Sequence, residues 1–335
     1  MIPQHEIDAV NAWLEQSQRP LLLSHRRPDG DALGALTAMS LALTRMGREP
    51  TVGLFDALPE RFARLRSGAK WRLWDDSREL LAQHADSVVI LDTCSLSQLE
   101  PALDYLRSAP RMLILDHHAT RDPLGERAGD LRVFDESAAA ACLIVAEWLW
   151  ASGFQCDAPI AEALFIGIAT DCGWFRYSNT DARTLRAAAR LVECGVNPAE
   201  LHRELYQQDP EAKLRLIARM LSSMELHANG RLAVLKLRQS DFAASGADGS
   251  MTEDLVNEAG RLAKTEATAL FTEEAETLVR ANFRSKQWLD VAELARRYGG
   301  GGHSRAAGAR LRGAFDTVVP RIVAEIAEVL TATGD

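Results

Sequence analysis

Long apolar runs, paired cysteines and a basic charge balance are all missing from this 335-residue chain. No run approaches the roughly 18 apolar residues that would indicate a membrane span. The first residues, MIPQHEIDAVNAWLEQ, lack the basic flank and apolar stretch of a secretory signal and favour a short amphipathic helix. The five cysteines include no C-x-x-C pair, so the sequence offers no C-x-x-C zinc or redox site. We therefore expect a protein of the reducing cytoplasm.

The charge balance limits the kind of partner. The chain has 38 Lys and Arg residues against 47 Asp and Glu residues, a formal net charge of −9. Binding of long nucleic acid depends on neutralising many phosphates with basic side chains, so this balance disfavours it. With 47% hydrophobic and 25% charged residues the composition is typical of a globular protein. At roughly 100–200 residues per domain, the length predicts two domains.

Three short apolar runs in the first half predict a buried sheet. They cover 20–25, 87–93 and 111–118, and each ends in polar or ionisable residues. Continuous apolar runs of this length suit parallel strands covered by helices on both faces. A helix predicted over 31–46 follows the first run and ends at Gly47. The fold class is therefore α/β, and ligands should bind at the carboxyl ends of the strands.

The remaining pattern predicts a helical stretch followed by a second, smaller α/β domain. The predicted helices of the first domain's second half cover 138–150, 159–169 and 180–194, and a mostly helical connector covers 198–225. Farther along, strands are predicted at 231–237, 268–274 and 277–283, with a hairpin turn at 274–276, and helices at 252–264, 290–298 and 316–332. The predicted domains are 1–190 (catalytic), 191–229 (connector) and 230–335 (substrate binding).

The first chemical motif is Ser24-His25-Arg26-Arg27-Pro28-Asp29-Gly30-Asp31, which leaves a predicted buried strand. Imidazole nitrogen and carboxylate oxygen together suit Mn²⁺, Fe, Zn²⁺ or Mg²⁺. The alternative is a plain turn, in which Asp29 bonds to local backbone and Asp31 caps the next helix. An EF-hand loop is disfavoured because the spaced acids, the turn glycine and the closing Glu do not follow in register.

Three more motifs also lie at element ends. Asp92 follows the apolar run VVIL, and Asp116-His117-His118 follows MLIL. Asp171 stands where a predicted helix gives way to a glycine turn. The alternatives are a strand-end hydrogen-bond acceptor for Asp92 and a helix-terminal Asp for Asp171. Because adjacent side chains of an extended backbone point to opposite faces, the two histidines should have different roles, which spacing does not assign.

Eight residues thus converge on one predicted rim of the sheet, more than one ion requires. A carboxylate that bridges two ions about 3.5–4 Å apart is typical of phosphoryl displacement. The residues are His25, Asp29, Asp31, Asp92, Asp116, His117, His118 and Asp171.

The C-terminal part carries a predicted phosphate clamp. Four consecutive glycines precede His303, and Arg284 and Ser285 end a predicted strand. Free backbone N–H groups of such a loop, with Arg and His beside them, suit an anion. It is not a Walker loop, since no Gly-Lys-Ser/Thr follows. The alternative is a flexible loop without a ligand.

HRRPDGDALG, LDTC, LDHHA and ATDCGWF, in this order and spacing, resemble the four motifs of the DHH phosphoesterase family. GGGGHSRAAGA, preceded by FRSK, resembles the associated C-terminal domain of that family. The resemblance spans almost the whole chain and is most similar to the bacterial nano-RNase group. It implies hydrolysis of short RNA oligonucleotides to mononucleotides and of 3′-phosphoadenosine 5′-phosphate (pAp) to AMP. It also implies two divalent ions, usually Mn²⁺, with Mg²⁺ or Co²⁺ as alternatives.

The resemblance further implies individual roles. One ion would be held by His25, Asp29 and Asp92. The other would be held by Asp31, Asp92, His117 and Asp171, with Asp92 bridging. His118 would act on the reacting phosphate together with Asp92 as catalytic residues, and Asp116 would orient the histidines. The substrate would be held by Arg284, Ser285, Gly300, Gly301, Gly302 and His303.

One departure from the resemblance lies in DESAAAA at 135–141, where many relatives have Ser or Thr. A hydroxyl contact from that segment is therefore not expected. The expected partners are short RNA oligonucleotides or nucleotides such as pAp, with no long nucleic acid, no membrane and a homodimer implied by the resemblance. Two alternatives stay open: a cyclic or linear dinucleotide phosphodiesterase, and a non-catalytic nucleotide sensor, whose expected sign would be lost ligand residues.

Overall fold

A computed structural model describes residues 2–252 and 254–332, with the backbone alone at residue 303. The chain forms two compact units, residues 1–207 and 208–335. None of the helices in the described ranges has the length and apolar character that a membrane span requires.

The N-terminal unit is built on a six-stranded parallel sheet with the strand order β3-β2-β1-β4-β5-β6. Its strands are β1 Pro20–Leu23, β2 Thr51–Leu54, β3 Trp71–Leu73, β4 Ser87–Leu91, β5 Met112–Asp116 and β6 Leu131–Phe134. Its helices are α1 Gln4–Glu15, α2 Gly30–Arg45, α3 Trp74–His84, α4 Leu103–Ser108, α5 Ala141–Ala151, α6 Ala158–Asp171, α7 Ala182–Glu193 and α8 Pro198–Tyr206. The predicted parallel α/β sheet is confirmed.

The apolar runs form these strands because both faces of the sheet are covered. Val89 and Leu91 of β4 join the core formed with α2, α5 and α6, whereas Val88 and Ile90 join the core formed with α3 and α4. The same alternation holds for β5. Side chains of a strand alternate between faces, so a continuous apolar sequence is required when both faces are buried.

Strands β2, β3 and β6 were not predicted. Their sequences, TVGL, WRL and LRVF, are short or include polar residues, and several of their side chains are partly exposed. They lie toward the two edges of the sheet, where one-sided burial requires no continuous apolar run.

The C-terminal unit contains a mixed six-stranded sheet of order β11-β12-β10-β9-β8-β7, in which only β8 and β9 pair in parallel. Its strands are β7 Glu225–His227, β8 Leu232–Leu237, β9 Ala267–Ala275, β10 Leu278–Ser285, β11 Gly301–His303 and β12 Ala306–Arg312. Its helices are α9 Glu211–Ser222, α10 Gln239–Ser245, α11 Val291–Arg296 and α12 Phe315–Ala332. One core lies between the sheet, α11 and α12, and another lies between the sheet and α9.

Two predictions for this unit are wrong in detail. The predicted α-helix over 252–264 is replaced by 3₁₀ segments at Gly249–Thr252 and Leu255–Arg261. Asp254 between them has a φ of 63°, in the left-handed region, which an α-helix does not continue through. The hairpin turn predicted at 274–276 lies at residues 276 and 277 instead, because β9 continues to Ala275 and β10 begins at Leu278.

Candidate metal and phosphoester site

The predicted rim residues follow three neighbouring strands. His25 lies two residues after β1, Asp92 directly follows β4, and Asp116 ends β5. Since β1, β4 and β5 are adjacent and parallel, their carboxyl ends lie side by side. Asp92 has a φ of 62°, an uncommon conformation for a residue with a side chain. Such conformations cluster at functional sites, where surrounding structure maintains them.

A first group joins His25, Asp29 and Asp92, whose nitrogen and oxygen atoms all lie within 4.8 Å of one another. His25 Nδ1 lies 2.8 Å from the carbonyl oxygen of Arg26, so its Nε2 is directed to the carboxylates. That Nε2 is 3.4 Å from Asp92 Oδ2 and 3.9 Å from Asp29 Oδ1. Asp29 also caps α2, since its Oδ1 accepts hydrogen bonds from the next backbone N–H groups. Asp29 therefore both caps α2 and belongs to the first group of possible metal ligands.

A second group joins Asp31, His117 and Asp171. Asp31 lies inside α2 and is buried, and its carboxylate accepts hydrogen bonds from the N–H groups of Ala141 and Cys142 at the start of α5. His117 Nε2 is 3.9 Å from both Asp31 Oδ2 and Asp171 Oδ2. Asp171 ends α6 and is the most exposed carboxylate of this group. The alternative that Asp31 merely caps α2 is wrong, because Asp29 is the cap.

A third group joins Asp92 to both histidines of the DHH sequence. Asp92 Oδ1 lies 3.4 Å from His117 Nε2 and 3.8 Å from His118 Nδ1. Asp116 is buried, and its Oδ1 accepts a hydrogen bond from His118 Nδ1 at 2.7 Å. His118 is the more exposed histidine, with 44% of its side chain accessible against 13% for His117. The two histidines thus have different surroundings.

The chemistry of these atoms fits divalent cations. The three groups overlap, since two contain Asp92 and two contain His117. Asp92 is buried, and its Oδ1 has no hydrogen-bonding partner among the described residues. A buried polar atom without a partner is costly unless an ion or water satisfies it. Imidazole nitrogens and carboxylate oxygens are suitable ligands for several divalent metals. This part of the molecule could therefore hold metal ions.

Without cations, proton affinities in this cluster are strongly shifted. Burial by itself would lower the pKa of His25, but the hydrogen bond and charge of Asp92 raise that pKa to about 9. Burial by itself would also lower the pKa of His117, but Asp92 and Asp31 outweigh this effect and raise that pKa to about 10. Burial raises the pKa of Asp171 to about 7, with a contribution from the charge of Asp92. Protons held by such ligands must leave when a cation binds.

The sequence-predicted residues of the C-terminal unit lie at one end of its sheet. Arg284 and Ser285 end β10, opposite the turn between β11 and β12. Ser285 N–H donates to the carbonyl oxygen of Arg305, and its hydroxyl donates to the carbonyl oxygen of Leu289 at 2.6 Å. The Arg284 guanidinium donates to the carbonyl oxygen of Phe283. The His303 side chain, also predicted for this site, lies outside the described residues.

The glycine run is more ordered than the predicted loop. Gly301 and Gly302 are part of β11 and pair with β12. The N–H groups of Gly299 and Gly300 donate to carbonyl oxygens at the end of α11. These two donors are therefore already used within the chain, which corrects the expectation that the whole run leaves its N–H groups free.

Residues that sequence reasoning missed support the rim from the segment before α5, from α5 itself and from α7. The carbonyl oxygen of Ala138 lies 3.2 Å from His117 Nδ1, which directs His117 Nε2 to the carboxylates. Arg183 of α7 makes two 2.6 Å hydrogen bonds to the buried carboxylate of Glu147 and a 2.7 Å ion pair with Asp135. A carbonyl contact has no signal in a sequence. Glu147 does have a signal in the sequence, because it is a lone charge within the apolar helix ACLIVAEWLWA.

Known domain families match both units of the chain. Residues 21–168 match the model of the DHH family, N-terminal domain, and residues 229–332 match the DHHA1 domain. The chain is 32% identical over 316 residues to the bifunctional oligoribonuclease and PAP phosphatase NrnA of Thermus thermophilus, covering 93% of this chain and 90% of that protein. The chain belongs to the DHH family. The resemblance inferred from the motifs is thereby confirmed.

Two further proteins are similar to this DHH protein along their lengths. The bifunctional oligoribonuclease and PAP phosphatase NrnA of Bacillus subtilis is 27% identical over 297 residues, covering 87% of this chain and 88% of that one. The crystal structure of an exopolyphosphatase-related protein from Bacteroides fragilis superimposes with a TM-score of 0.90 at 22% identity, covering 98% of both chains. The second likeness shows that the DHH and DHHA1 fold is shared.

Proposed function

We propose that this DHH protein is a metal-dependent phosphoesterase that hydrolyses short RNA oligonucleotides to mononucleotides and pAp to AMP. The observation that carries the proposal is the buried Asp92 Oδ1, which belongs to two of the three overlapping His and Asp groups and has no hydrogen-bonding partner among the described residues. The oligoribonuclease and PAP phosphatase activity of the Thermus thermophilus relative, whose match covers 93% of this chain, supports the substrate class.

Two divalent cations fit the ligand set, and we propose Mn²⁺ as the native ion, with Mg²⁺ and Co²⁺ as alternatives. His25, Asp29 and Asp92 would hold one ion. The other would be held by Asp31, Asp92, His117 and Asp171, with Asp92 bridging. When bound, such ions polarise a phosphoryl group and lower the pKa of water to near neutrality.

The chain's own residues then set the protonation of the site. Because Asp116 accepts the Nδ1–H of His118, Nε2 is the nitrogen of His118 that remains to hold or donate a proton. The same hydrogen bond raises the pKa of His118, which favours the imidazolium form. A partly exposed imidazolium can stabilise negative charge on a phosphoryl group or protonate a leaving oxygen. We therefore assign His118 and Asp92 as the catalytic pair and Asp116 as the residue that orients His118.

The domain assignment follows from these roles. Residues 1–190 would carry the chemistry, 191–229 would connect, and 230–335 would bind the substrate through Arg284, Ser285, Gly300, Gly301, Gly302 and His303. Ser285 would accept a hydrogen bond from a ribose hydroxyl through its remaining lone pairs, since its hydroxyl proton is already donated to the carbonyl oxygen of Leu289. We further propose a cytoplasmic location, supported by five free cysteines, and a homodimeric state.

The test is a turnover assay with a matched carboxylate control. The EDTA-stripped protein is incubated with Mn²⁺, Mg²⁺ or Co²⁺ and with labelled RNA of two to five nucleotides, pAp or a cyclic dinucleotide. Asp92→Asn should reduce mononucleotide release by at least 1,000-fold, an effect on the order expected when a group at the reacting centre is lost. Asp104→Asn, whose side chain is 98% accessible on α4, should leave the rate unchanged. Absence of release with every metal, or undiminished release in Asp92→Asn, refutes the proposal.

A further inference from the structure

The turn between β10 and α11 is held from inside by one buried carboxylate. Glu266 is only 7% exposed, and its oxygens accept hydrogen bonds from three consecutive backbone N–H groups. These belong to Gln287 at 3.1 Å, Trp288 at 2.8 Å and Leu289 at 3.0 Å. Hydrogen bonds to an ionised acceptor are stronger than neutral ones, so the backbone of this turn is fixed.

Further contacts hold the far end of the turn. The carbonyl oxygen of Leu289 accepts hydrogen bonds from Ser285 Oγ at 2.6 Å and from Arg305 Nη1 at 3.0 Å. The Leu289 side chain is buried in the apolar core of the C-terminal unit. Asp290 then caps α11 by accepting hydrogen bonds from its first N–H groups. The chain therefore folds back on Ser285, and the backbone of Trp288 is held in the same turn.

Trp288 projects from this fixed backbone as the most exposed of the seven tryptophans, with 43% of its surface accessible. Contact of an indole ring with water is unfavourable by the hydrophobic effect. Folding does not require the Trp288 ring at this position, because the buried Leu289 side chain anchors the turn. Trp has only two side-chain torsions, so an ordered backbone places its ring at little further entropic cost. A rigidly mounted, exposed aromatic ring is suited to stack on a planar ligand.

The position of Trp288 indicates the class of ligand that its ring could bind. It shares the end of the sheet with Arg284, a cation at the carboxyl end of β10, and with the turn that follows β11. A nucleotide carries a phosphate and a flat base on one ribose, so it presents both an anion and a stacking surface. We propose that Trp288 is a nucleobase-stacking platform that binds the base of the nucleotide whose phosphate Arg284 holds. The inference rests on the proposed function and extends it.

This platform has a predictable selectivity. Every base has a π face, so stacking tolerates any base. Purines, which offer more area than pyrimidines, should bind more tightly than pyrimidines do. A substrate without a base should gain nothing from Trp288.

The test compares Trp288→Ala, Trp288→Phe and the control Leu226→Ala, in which an exposed apolar residue on the opposite edge strand β7 is removed. Substrates are pAp and the ribose bisphosphate that lacks adenine. Trp288→Ala should raise KM for pAp by about 10-fold or more, as loss of one base stack predicts. It should leave kcat and the KM for the base-free compound unchanged. Trp288→Phe should retain most of the affinity, and Leu226→Ala all of it.

Binding of AMP, followed by tryptophan fluorescence, provides a readout that does not need turnover. Wild-type fluorescence should be quenched by AMP, and Trp288→Phe should lose that quenching. An unchanged KM for pAp in Trp288→Ala, or an equal rise for the base-free compound, overturns the platform while leaving the phosphoesterase proposal intact. If the wild-type protein hydrolyses no phosphoester but shows Trp288-dependent quenching by AMP, the proposed function fails and the platform is supported.

Discussion

Asp31 and Cys142 are joined by a hydrogen bond of 2.9 Å across 111 residues of sequence, from the Cys142 backbone N–H to Asp31 Oδ1. The Cys142 thiol donates back to the carbonyl oxygen of Asp31. These contacts fix the buried Asp31 carboxylate against the N-terminus of α5, where the helix dipole favours negative charge. Asp31 is thereby held in the cluster of candidate metal ligands, although burial raises its pKa well above the usual range.

Helix α6 approaches Asp31 and Cys142 closely at Gly167, so alanine at this position should destabilise the protein instead of stabilising it. Gly167→Ala in the interior of a helix would ordinarily stabilise it by about 1 kcal/mol. Here a Cβ atom would overlap Cys142 Sγ and lie 2.8 Å from Asp31 Oδ1. We expect Gly167→Ala to destabilise the protein by about 1–3 kcal/mol, as overpacking does. Urea unfolding measures this. Cys142→Ala in the same chain removes the sulfur atom and should restore part of the loss, whereas increased stability of the single variant would contradict the packing.

Asp171 should make the metal-free protein less stable as the pH rises. Its folded-state pKa of about 7 is above the unfolded value near 3.8, so the folded state holds a proton that the unfolded state has lost between these values. Stability therefore falls from pH 4 to pH 7. At about 1.4 kcal/mol per pKa unit, the full effect is about 4 kcal/mol at most.

The variant Asp171→Asn isolates this contribution. In EDTA, its stability relative to the wild type should increase between pH 4 and pH 7 and level off above pH 7. Thermal unfolding at a series of pH values measures the difference. A difference that is independent of pH would show that Asp171 is not the titrating group. Addition of Mn²⁺ should reverse the order, because the variant lacks one proposed ligand.

The sequence predicts the residues of the rim well because strand ends are local signals. VVIL and MLIL are apolar through both faces of the sheet and stop at Asp92 and Asp116, so the position of each polar residue follows from its own neighbours. The two helix-end aspartates, Asp29 and Asp171, are similarly local. The parallel topology then brings these positions together.

The supporting contacts could not be predicted because they are long-range and depend on backbone atoms. The alanines at 138–141 removed the expectation of a hydroxyl contact, yet this segment contributes through the Ala138 carbonyl oxygen and the Ala141 N–H group. Any residue other than proline would offer the same N–H. The turn that carries Trp288 could likewise not be predicted, because its backbone is held by Glu266, 22 residues earlier.

Arg183 is expected to support both the stability of the fold and the position of the segment that contacts His117. Its guanidinium pairs with Glu147 and Asp135 and donates to Ser137 Oγ at 3.1 Å. Arg183→Met leaves Glu147, which is 7% exposed, buried without this partner and should cost about 3 kcal/mol. The double variant Arg183→Met with Glu147→Leu should recover most of that stability.

Activity should not recover in the double variant, because Asp135 and Ser137 still lack their Arg183 contacts. Unfolding curves and turnover rates of the same preparations separate the two effects. Arg107→Met is the control, since its guanidinium is 75% exposed and pairs only on the surface, where the expected change is within about 0.5 kcal/mol. Equal recovery of stability and activity would show that Arg183 has a structural role alone.

Gly300 and Gly301 are adjacent, yet alanine should destabilise the protein at Gly300 and not at Gly301. A Cβ atom on Gly300 would press on the carbonyl oxygen of Gly308 and lie 2.7 Å from Ala309 Cβ, both in the neighbouring strand β12. A Cβ atom on Gly301 meets nothing within 4 Å among the described residues. Gly300→Ala should therefore separate β11 from β12 and destabilise the protein by about 1–3 kcal/mol. Gly301→Ala should leave stability within about 0.5 kcal/mol of the wild type. Because Gly301→Ala keeps the fold, a rise in its KM for pAp would reflect crowding of the bound phosphate, and equal destabilisation of both variants would contradict the pairing of β11 with β12.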